Sequence, residues 1–338
     1  MSKKVLSLVL AMLMLLSTFA ALNISVFAGT IKTDYETDPV DVLNEGWNYD
    51  SDNDEWCYVL NGKLYGGWLS VKGVWYYLDP ESYIMEANSV REINGEYYYF
   101  AKSGAMVKSG WVKDTRYEES SWEINGKKYY DWFYASSSGA LLKGWQKINN
   151  VWYFFENSED STPYMYWGDC YNVNGVIYIF DLNGKWISAP GWQSIKWNEY
   201  TDWFYLDNAG RCRTNSWLLY KGSWYYFEDW GYMISDNTYE INDQIYAFNK
   251  NGTLHEKKGW FGALDYYYNE KDERVYYYNW YYTKADGTCY TGWVRVNGTC
   301  YYFSDEDAIM YSNGWFKIGD SYHYFDESGA WVKESVPT

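Results

Sequence analysis

The chain has 338 residues, a net charge of −17 and 23% aromatic side chains, with 22 Trp and 41 Tyr against only 5 Pro. So acidic a surface repels nucleic-acid phosphates and excludes them as partners, while it suits cationic or neutral ligands and keeps a very aromatic chain in solution. Tyr, Trp, Phe and Val favour strands, and 28 Gly supply turns, which points to an all-β protein.

In chain order, residues 1–28 read as a secretory signal peptide. Lys3 and Lys4 form a positive start, an apolar stretch runs from Val5 to about Ala21, and Val26-Phe27-Ala28 places small residues for cleavage before Gly29. No second apolar run of membrane length and no wall-sorting motif follows, so no transmembrane anchor is expected after cleavage. Residues 29–45 read as an acidic linker, and residues 334–338 as a tail.

Between them, residues 46–333 repeat. Gly-Trp recurs at Gly46-Trp47, Gly67-Trp68, Gly110-Trp111, Gly144-Trp145, Gly191-Trp192, Gly259-Trp260, Gly292-Trp293 and Gly314-Trp315, with Ser216-Trp217 as a degenerate copy. Three kinds of unit alternate. Short units carry Gly-Trp, six residues and an aromatic run such as Trp75-Tyr76-Tyr77-Leu78, and close with Met85, Met165, Met233 or Met310. A second kind lacks Gly-Trp, as in Asn94-Gly95-Glu96-Tyr97-Tyr98-Tyr99-Phe100. A third carries a long polar insertion before Trp132-Phe133-Tyr134, Trp203-Phe204-Tyr205 or Trp280-Tyr281-Tyr282. Short units begin at 67, 144, 216 and 292, so about twelve units fall into a three-unit superrepeat.

Seven Asn-Gly pairs between apolar runs, at Asn61, Asn94, Asn125, Asn174, Asn183, Asn251 and Asn297, signal tight turns. A lone hairpin is marginal in water, whereas stacked hairpins share an aromatic core. The expected fold is therefore an all-β solenoid of stacked β-hairpins, with the last unit as a cap. Strand alternation puts Trp75 and Tyr77 on one face, and Tyr76 and Leu78 on the other. The Tyr76 position is nearly constant between units and is assigned to stacking; the Trp75/Tyr77 face varies and is assigned to a site.

Five cysteines leave at least one unpaired, match no metal spacing, and read as small apolar filler at Cys212 and Cys289. Only His255 and His323 are present, neither beside a nucleophile motif, and carboxylates fall in turn clusters such as Asp305-Glu306-Asp307. No enzyme and no cofactor is expected.

With these motifs in register, the chain resembles the bacterial cell-wall-binding repeat family, which includes choline-binding and glucan-binding repeats. The resemblance implies an exported protein held non-covalently on the wall of a Gram-positive bacterium through teichoic acid or polysaccharide. In choline-binding members two tryptophans and a tyrosine, often with a methionine, line a cage between consecutive hairpins. Carried over, the site residues are Trp68, Trp75, Tyr77 and Met85; Trp145, Trp152 and Met165; and Trp217, Trp224, Tyr226 and Met233, with Phe154 at the Tyr77 position of the middle copy. A quaternary ammonium ion donates no hydrogen bond and is attracted to ring faces, each worth roughly 0.5–2 kcal/mol. The same faces stack on sugars, so glucan binding stays open beside an adhesin role and a part in wall hydrolysis. Cys300 and Tyr322 stand where the hairpin Trp is expected.

Overall fold

The computed structural model of the chain describes residues 24–31, 43–116, 122–198 and 200–335. The expected signal peptide up to residue 23, residues 32–42 of the linker and residues 336–338 of the tail lie outside them. Every described element is a β-strand, and the strands pair almost wholly as local antiparallel hairpins.

Two compact units divide the chain at Trp167/Gly168. The first holds five repeat hairpins: Gly46–Asp50 with Glu55–Leu60, Lys63–Val71 with Val74–Leu78, Ser89–Ile93 with Glu96–Phe100, Gly110–Lys113 with Trp132–Ala135, and Gly144–Ile148 with Val151–Phe155. The polar insertion of the fourth folds into a small hairpin of its own, Trp122–Ile124 with Lys127–Tyr129. One strand was not expected: Ile24–Ile31 runs antiparallel to Lys63–Val71, across the boundary between the expected signal peptide and linker. Its sequence, ISVFAGTI, is rich in β-branched residues, which fits a strand better than a polar linker.

The second unit holds seven: Cys170–Val173 with Val176–Ile179, Gly191–Lys196 with Thr201–Leu206, Ser216–Tyr220 with Ser223–Phe227, Asn237–Ile241 with Gln244–Phe248, Gly259–Tyr268 with Arg274–Thr283, Gly292–Val296 with Thr299–Phe303, and Gly314–Ile318 with Ser321–Phe325. A further strand, Trp331–Ser335, pairs with the last of these.

Local chemistry explains the hairpins. Asn61 and Gly62 both have positive φ (53° and 72°), the paired left-handed geometry of a two-residue turn that matches strand twist. Asn94-Gly95, Asn125-Gly126, Asn174-Gly175 and Asn297-Gly298 do the same. Asn183-Gly184 and Asn251-Gly252 do not: they lie in the turn after a hairpin, where the Gly184 and Gly252 amides donate to the Asp181 and Asn249 carbonyls. The turn at Gly252 sends the chain back to the preceding hairpin, where the Leu254 amide donates to the Trp224 carbonyl at 2.8 Å. After the turn at Gly139, the Leu141 amide donates to the carbonyl of Tyr97, one hairpin earlier, at 2.8 Å. Gly139 itself has φ +96°, and a Cβ there would strike the Met106 side chain at 2.5 Å, so glycine is required twice over.

Hairpins stack through two kinds of junction. Where a second-kind unit meets the following long-insertion unit, the junction is closed. Tyr97 and Tyr99 pack against Val112, Phe133 and Leu141 in one cluster, all buried. Ile177 and Ile179 pack against Ile195, Phe204 and Leu206 in another. Ala247 packs against Phe261, Ala263 and Tyr281 in a third. Cys289 lies buried in that third cluster and Cys212 against the second, as apolar filler would. All five thiols are free. Within each unit the other junctions are aromatic and partly open.

Candidate functional site: aromatic junctions between hairpins

In the Lys63–Val71/Val74–Leu78 hairpin, Trp68 faces Tyr77 and Ser70 faces Trp75. Cross-strand partners share a face, so both indoles and Tyr77 stand on one side of the hairpin. Trp68 and Trp75 meet at 6.3 Å and 82°, and Trp68 and Tyr77 at 5.2 Å and 65°. The third wall comes from the next hairpin: Tyr98 lies edge-on to Trp68 at 4.8 Å and 73°, with Phe100 behind it at 5.8 Å. Edge-to-face packing sets the electron-rich face of one ring against the positive edge of another.

The pattern recurs. Right-angled indole pairs occur at Trp47/Trp56, Trp111/Trp132, Trp145/Trp152, Trp192/Trp203 and Trp217/Trp224, with centroids 6.2–6.5 Å apart. Tyr76, Tyr153, Tyr225 and Tyr246 approach Trp47, Trp111, Trp192 and Trp217 from the following hairpin at 4.9–5.1 Å. The constant tyrosine face, assigned from sequence to stacking alone, and the Trp face, assigned to the site, therefore meet at the same junction.

The structure brings together Trp68, Trp75 and Tyr77; Trp145 and Trp152, with Phe154 at 5.3 Å from Trp145; and Trp217, Trp224 and Tyr226, the last at 5.2 Å from Trp217. Backbone pairing sets each methionine against the preceding hairpin as well as its own. The amides of Met85, Met165 and Met233 donate to the carbonyls of Trp56, Trp132 and Trp203, each one hairpin before the unit the methionine closes. Met106 and Leu254 take that place beside Trp75 and Trp224. Met165 is buried, so it packs the junction rather than lining an opening.

Sequence reasoning missed the long-insertion units: Trp47 with Trp56, Trp111 with Trp132, and Trp192 with Trp203 form the same pairs. Their signal lay in register. Trp132 faces Lys113 and Tyr134 faces Trp111, as Trp75 faces Ser70 and Tyr77 faces Trp68, but the insertion breaks the six-residue spacing. At the chain's end Cys300 occupies the register of the second indole, opposite Arg295. Trp293 is instead met at 6.1 Å and 90° by Trp331 from the terminal strand, with His323 in the tyrosine's place at 5.1 Å.

The indoles are not sealed in. Trp152 is 40% exposed and Trp224 36%, while Trp68, Trp75, Trp145 and Trp217 are half-buried. Burial pushes the phenols of Tyr77, Tyr98 and Tyr226 up, so they stay neutral and present uncharged rings. Cations already find these faces: the Lys147 ammonium group lies 5.9 Å from the Trp152 ring. Each open junction offers flat, electron-rich walls, which suit a soft cation or the apolar face of a sugar.

A tandem β-hairpin protein with aromatic junctions is the class this geometry defines. The family model described as "Putative cell wall binding repeat" matches residues 66–81, 91–106, 143–160, 215–233, 291–307 and 313–330. Six stretches of the chain thus carry this family's repeat. The chain is 24% identical over 275 residues, 78% of its length, to glucosyltransferase-S of Streptococcus mutans, covering 17% of that protein. Over 112 residues, 32% of the chain, it is 30% identical to a protein of Streptococcus pneumoniae described as "Putative endo-beta-N-acetylglucosaminidase", covering 14% of it. The chain thus spans less than a fifth of these curated relatives. Among solved structures, CbpJ from Streptococcus pneumoniae TIGR4 aligns with 85% of the chain and 94% of its own at 22% identity, with a TM-score of 0.29. Among the described residues, no helix is long and apolar enough to cross a membrane.

Proposed function

We propose that this chain is an exported, non-catalytic surface protein that holds a cell-wall polymer bearing quaternary ammonium groups, a choline-decorated teichoic acid being the best fit. One observation carries the reading: a right-angled indole pair, closed by a tyrosine of the next hairpin, is repeated along the chain with open rims. A quaternary ammonium ion needs ring faces and no hydrogen-bond acceptor, and these junctions supply that. A single junction binds weakly, but several on one chain hold a polymer through high effective concentration. The acidic surface adds long-range attraction for cations.

Retention on a choline-like amine resin and on an insoluble glucan tests this. It is done in about 1 M salt, where the Debye length falls to about 3 Å and simple ion exchange of an acidic protein is suppressed. Retention on the amine resin with elution by soluble choline is expected. Retention on glucan alone, with elution by oligosaccharide, replaces choline by polysaccharide as the ligand. Retention on neither leaves an adhesin and removes wall-polymer binding.

A further inference from the structure

The hairpin Gly259–Tyr268/Arg274–Thr283 departs from the others. Its strands have ten residues each, and its outer half is an arm that carries six tyrosines, Tyr266, Tyr267, Tyr268, Tyr276, Tyr277 and Tyr278. All six are open to solvent, between 41% and 57% exposed. A phenol in such a position is within reach of a one-electron oxidant. What surrounds each phenol then decides which of the six reacts.

The two faces of the arm differ. On one, Asp265 stands directly across from Tyr277, with Tyr267 two residues further along the strand. The Tyr277 hydroxyl donates to Asp265 Oδ2 at 3.0 Å. The carboxylate is pinned by the Tyr266 amide, which donates to Oδ1 at 2.8 Å, and by Asn279 Nδ2, which donates to Oδ2 at 3.2 Å. The bond to Asp265 raises the Tyr277 phenol above its usual value, so at neutral pH its proton is in place and leaves together with the electron. A carboxylate that already accepts that proton serves as the base for its loss. The rings of Tyr267 and Tyr277 lie 6.0 Å apart at 50°. On the other face Tyr266 and Tyr276 are as close, 6.0 Å at 57°, but the Arg274 guanidinium lies 5.0 Å from the Tyr266 ring and 5.9 Å from that of Tyr268. A cation held over a ring opposes removal of an electron from it.

From this we propose that the arm is an oxidative modification site, at which a haem peroxidase supplied with hydrogen peroxide joins Tyr277 to Tyr267 as a dityrosine. Each phenol gives up one electron and one proton; the proton of Tyr277 passes to Asp265 and on to water, that of Tyr267 directly to solvent. The two phenoxyl radicals then form a carbon–carbon bond between one ortho position of each ring. The hydrogens on those two carbons shift to the oxygens and restore both hydroxyls. The two electrons and two protons reduce one peroxide to two waters. Rings at this separation need only the rotamer motion open to exposed side chains to bring ortho carbons together. The link closes the loop between residues 267 and 277 and constrains the arm as a disulfide would, in a chain whose five thiols are all free.

The test treats the full chain with a haem peroxidase and equimolar hydrogen peroxide, then denatures it and digests it with trypsin. Cleavage after Lys271 and Arg274 separates Tyr267 from Tyr277 unless the two are joined. Dityrosine fluorescence is expected, with a joined peptide pair lighter by two hydrogens than its parts, which fragmentation places at Tyr267 and Tyr277. Tyr277→Phe and Tyr267→Phe each abolish this pair, and Tyr266→Phe leaves it. Asp265→Asn slows its formation severalfold and Asp265→Glu restores most of the rate, a contrast that a merely structural role does not produce; melting curves recorded alongside check folding. The absence of coupling, a link found only in covalent dimers, a link placed at Tyr266 and Tyr276, coupling scattered over other exposed tyrosines such as Tyr200, or a wild-type rate in Asp265→Asn overturns the proposal. None of these outcomes depends on what the indole corners hold, which the resin experiment decides separately.

Discussion

Asp202 precedes Trp203, the second indole of its hairpin, and is pushed up to about 6 by burial, with the charge of Asp169 adding to the effect and a hydrogen bond from Trp197 opposing it. Asp131, ahead of Trp132, is also raised by burial, against a bond from the Trp167 indole N–H at 3.3 Å. A carboxyl group whose folded pKa lies above its unfolded value binds its proton more tightly when folded. Stability therefore falls as pH rises from 3.8 to about 6, and the loss is complete above that. Asp202→Asn removes this contribution: the variant is expected to melt higher than wild type at neutral pH and to show a flatter dependence of melting temperature across that window. Melting curves at a series of pH values check it, and a variant keeping the full wild-type slope assigns the titration elsewhere.

At the scale of the hairpin, the two indoles of a junction do different work. Trp217 touches Tyr226 in its own hairpin and Tyr246 and Phe248 in the next, the last nearly parallel at 5.7 Å and 27°. Trp224 stands edge-on at the open rim. Trp217→Ala is expected to cost about 3 kcal/mol of stability through loss of packing, whereas Trp224→Ala costs about 1 kcal/mol and chiefly removes a ligand wall. Denaturant titration separates the two stability effects, and retention on the amine resin reads the wall. Equal stability losses would mean that the second indole is as much core as the first. Much of the hairpin was legible beforehand: twelve units, their three kinds, and turns at five of seven Asn-Gly pairs. The partners across a junction were not. Alternation shows which residues share a face of one hairpin, but not which face the next hairpin lies on. Tyr98 therefore read as stacking when it is also the wall over Trp68. Met85 follows Trp75 by ten residues, yet its turn carries it back to Trp56, because the return of the chain reaches one hairpin further than sequence proximity suggests. Trp111 and Trp132 were hidden by the insertion between them, which lengthens the loop without altering the register.

For the whole molecule, stability in a repeat chain is close to a sum over hairpins and the junctions between neighbours. A ligand that occupies several junctions adds to each. Soluble choline is expected to raise the melting temperature progressively, each occupied junction gaining about 2.7 kcal/mol once the ligand reaches about 100 times its dissociation constant. Calorimetry in choline chloride against sodium chloride at equal ionic strength measures this, and identical melting in the two salts would remove the ammonium group as ligand.

The alternation of closed and open junctions has a bearing on how such a gene can grow or shrink. A hairpin's two flanks are fitted to different neighbours: the flank of Tyr97 and Tyr99 meets Val112 and Phe133, while that of Tyr98 and Phe100 meets Trp68. Excising a second-kind or a long-insertion hairpin alone would set a flank from one kind of junction against a flank fitted to the other and leave both poorly filled. Cutting or duplicating three at a time keeps each closed flank beside its partner, so length changes that touch a closed junction should come in whole triplets.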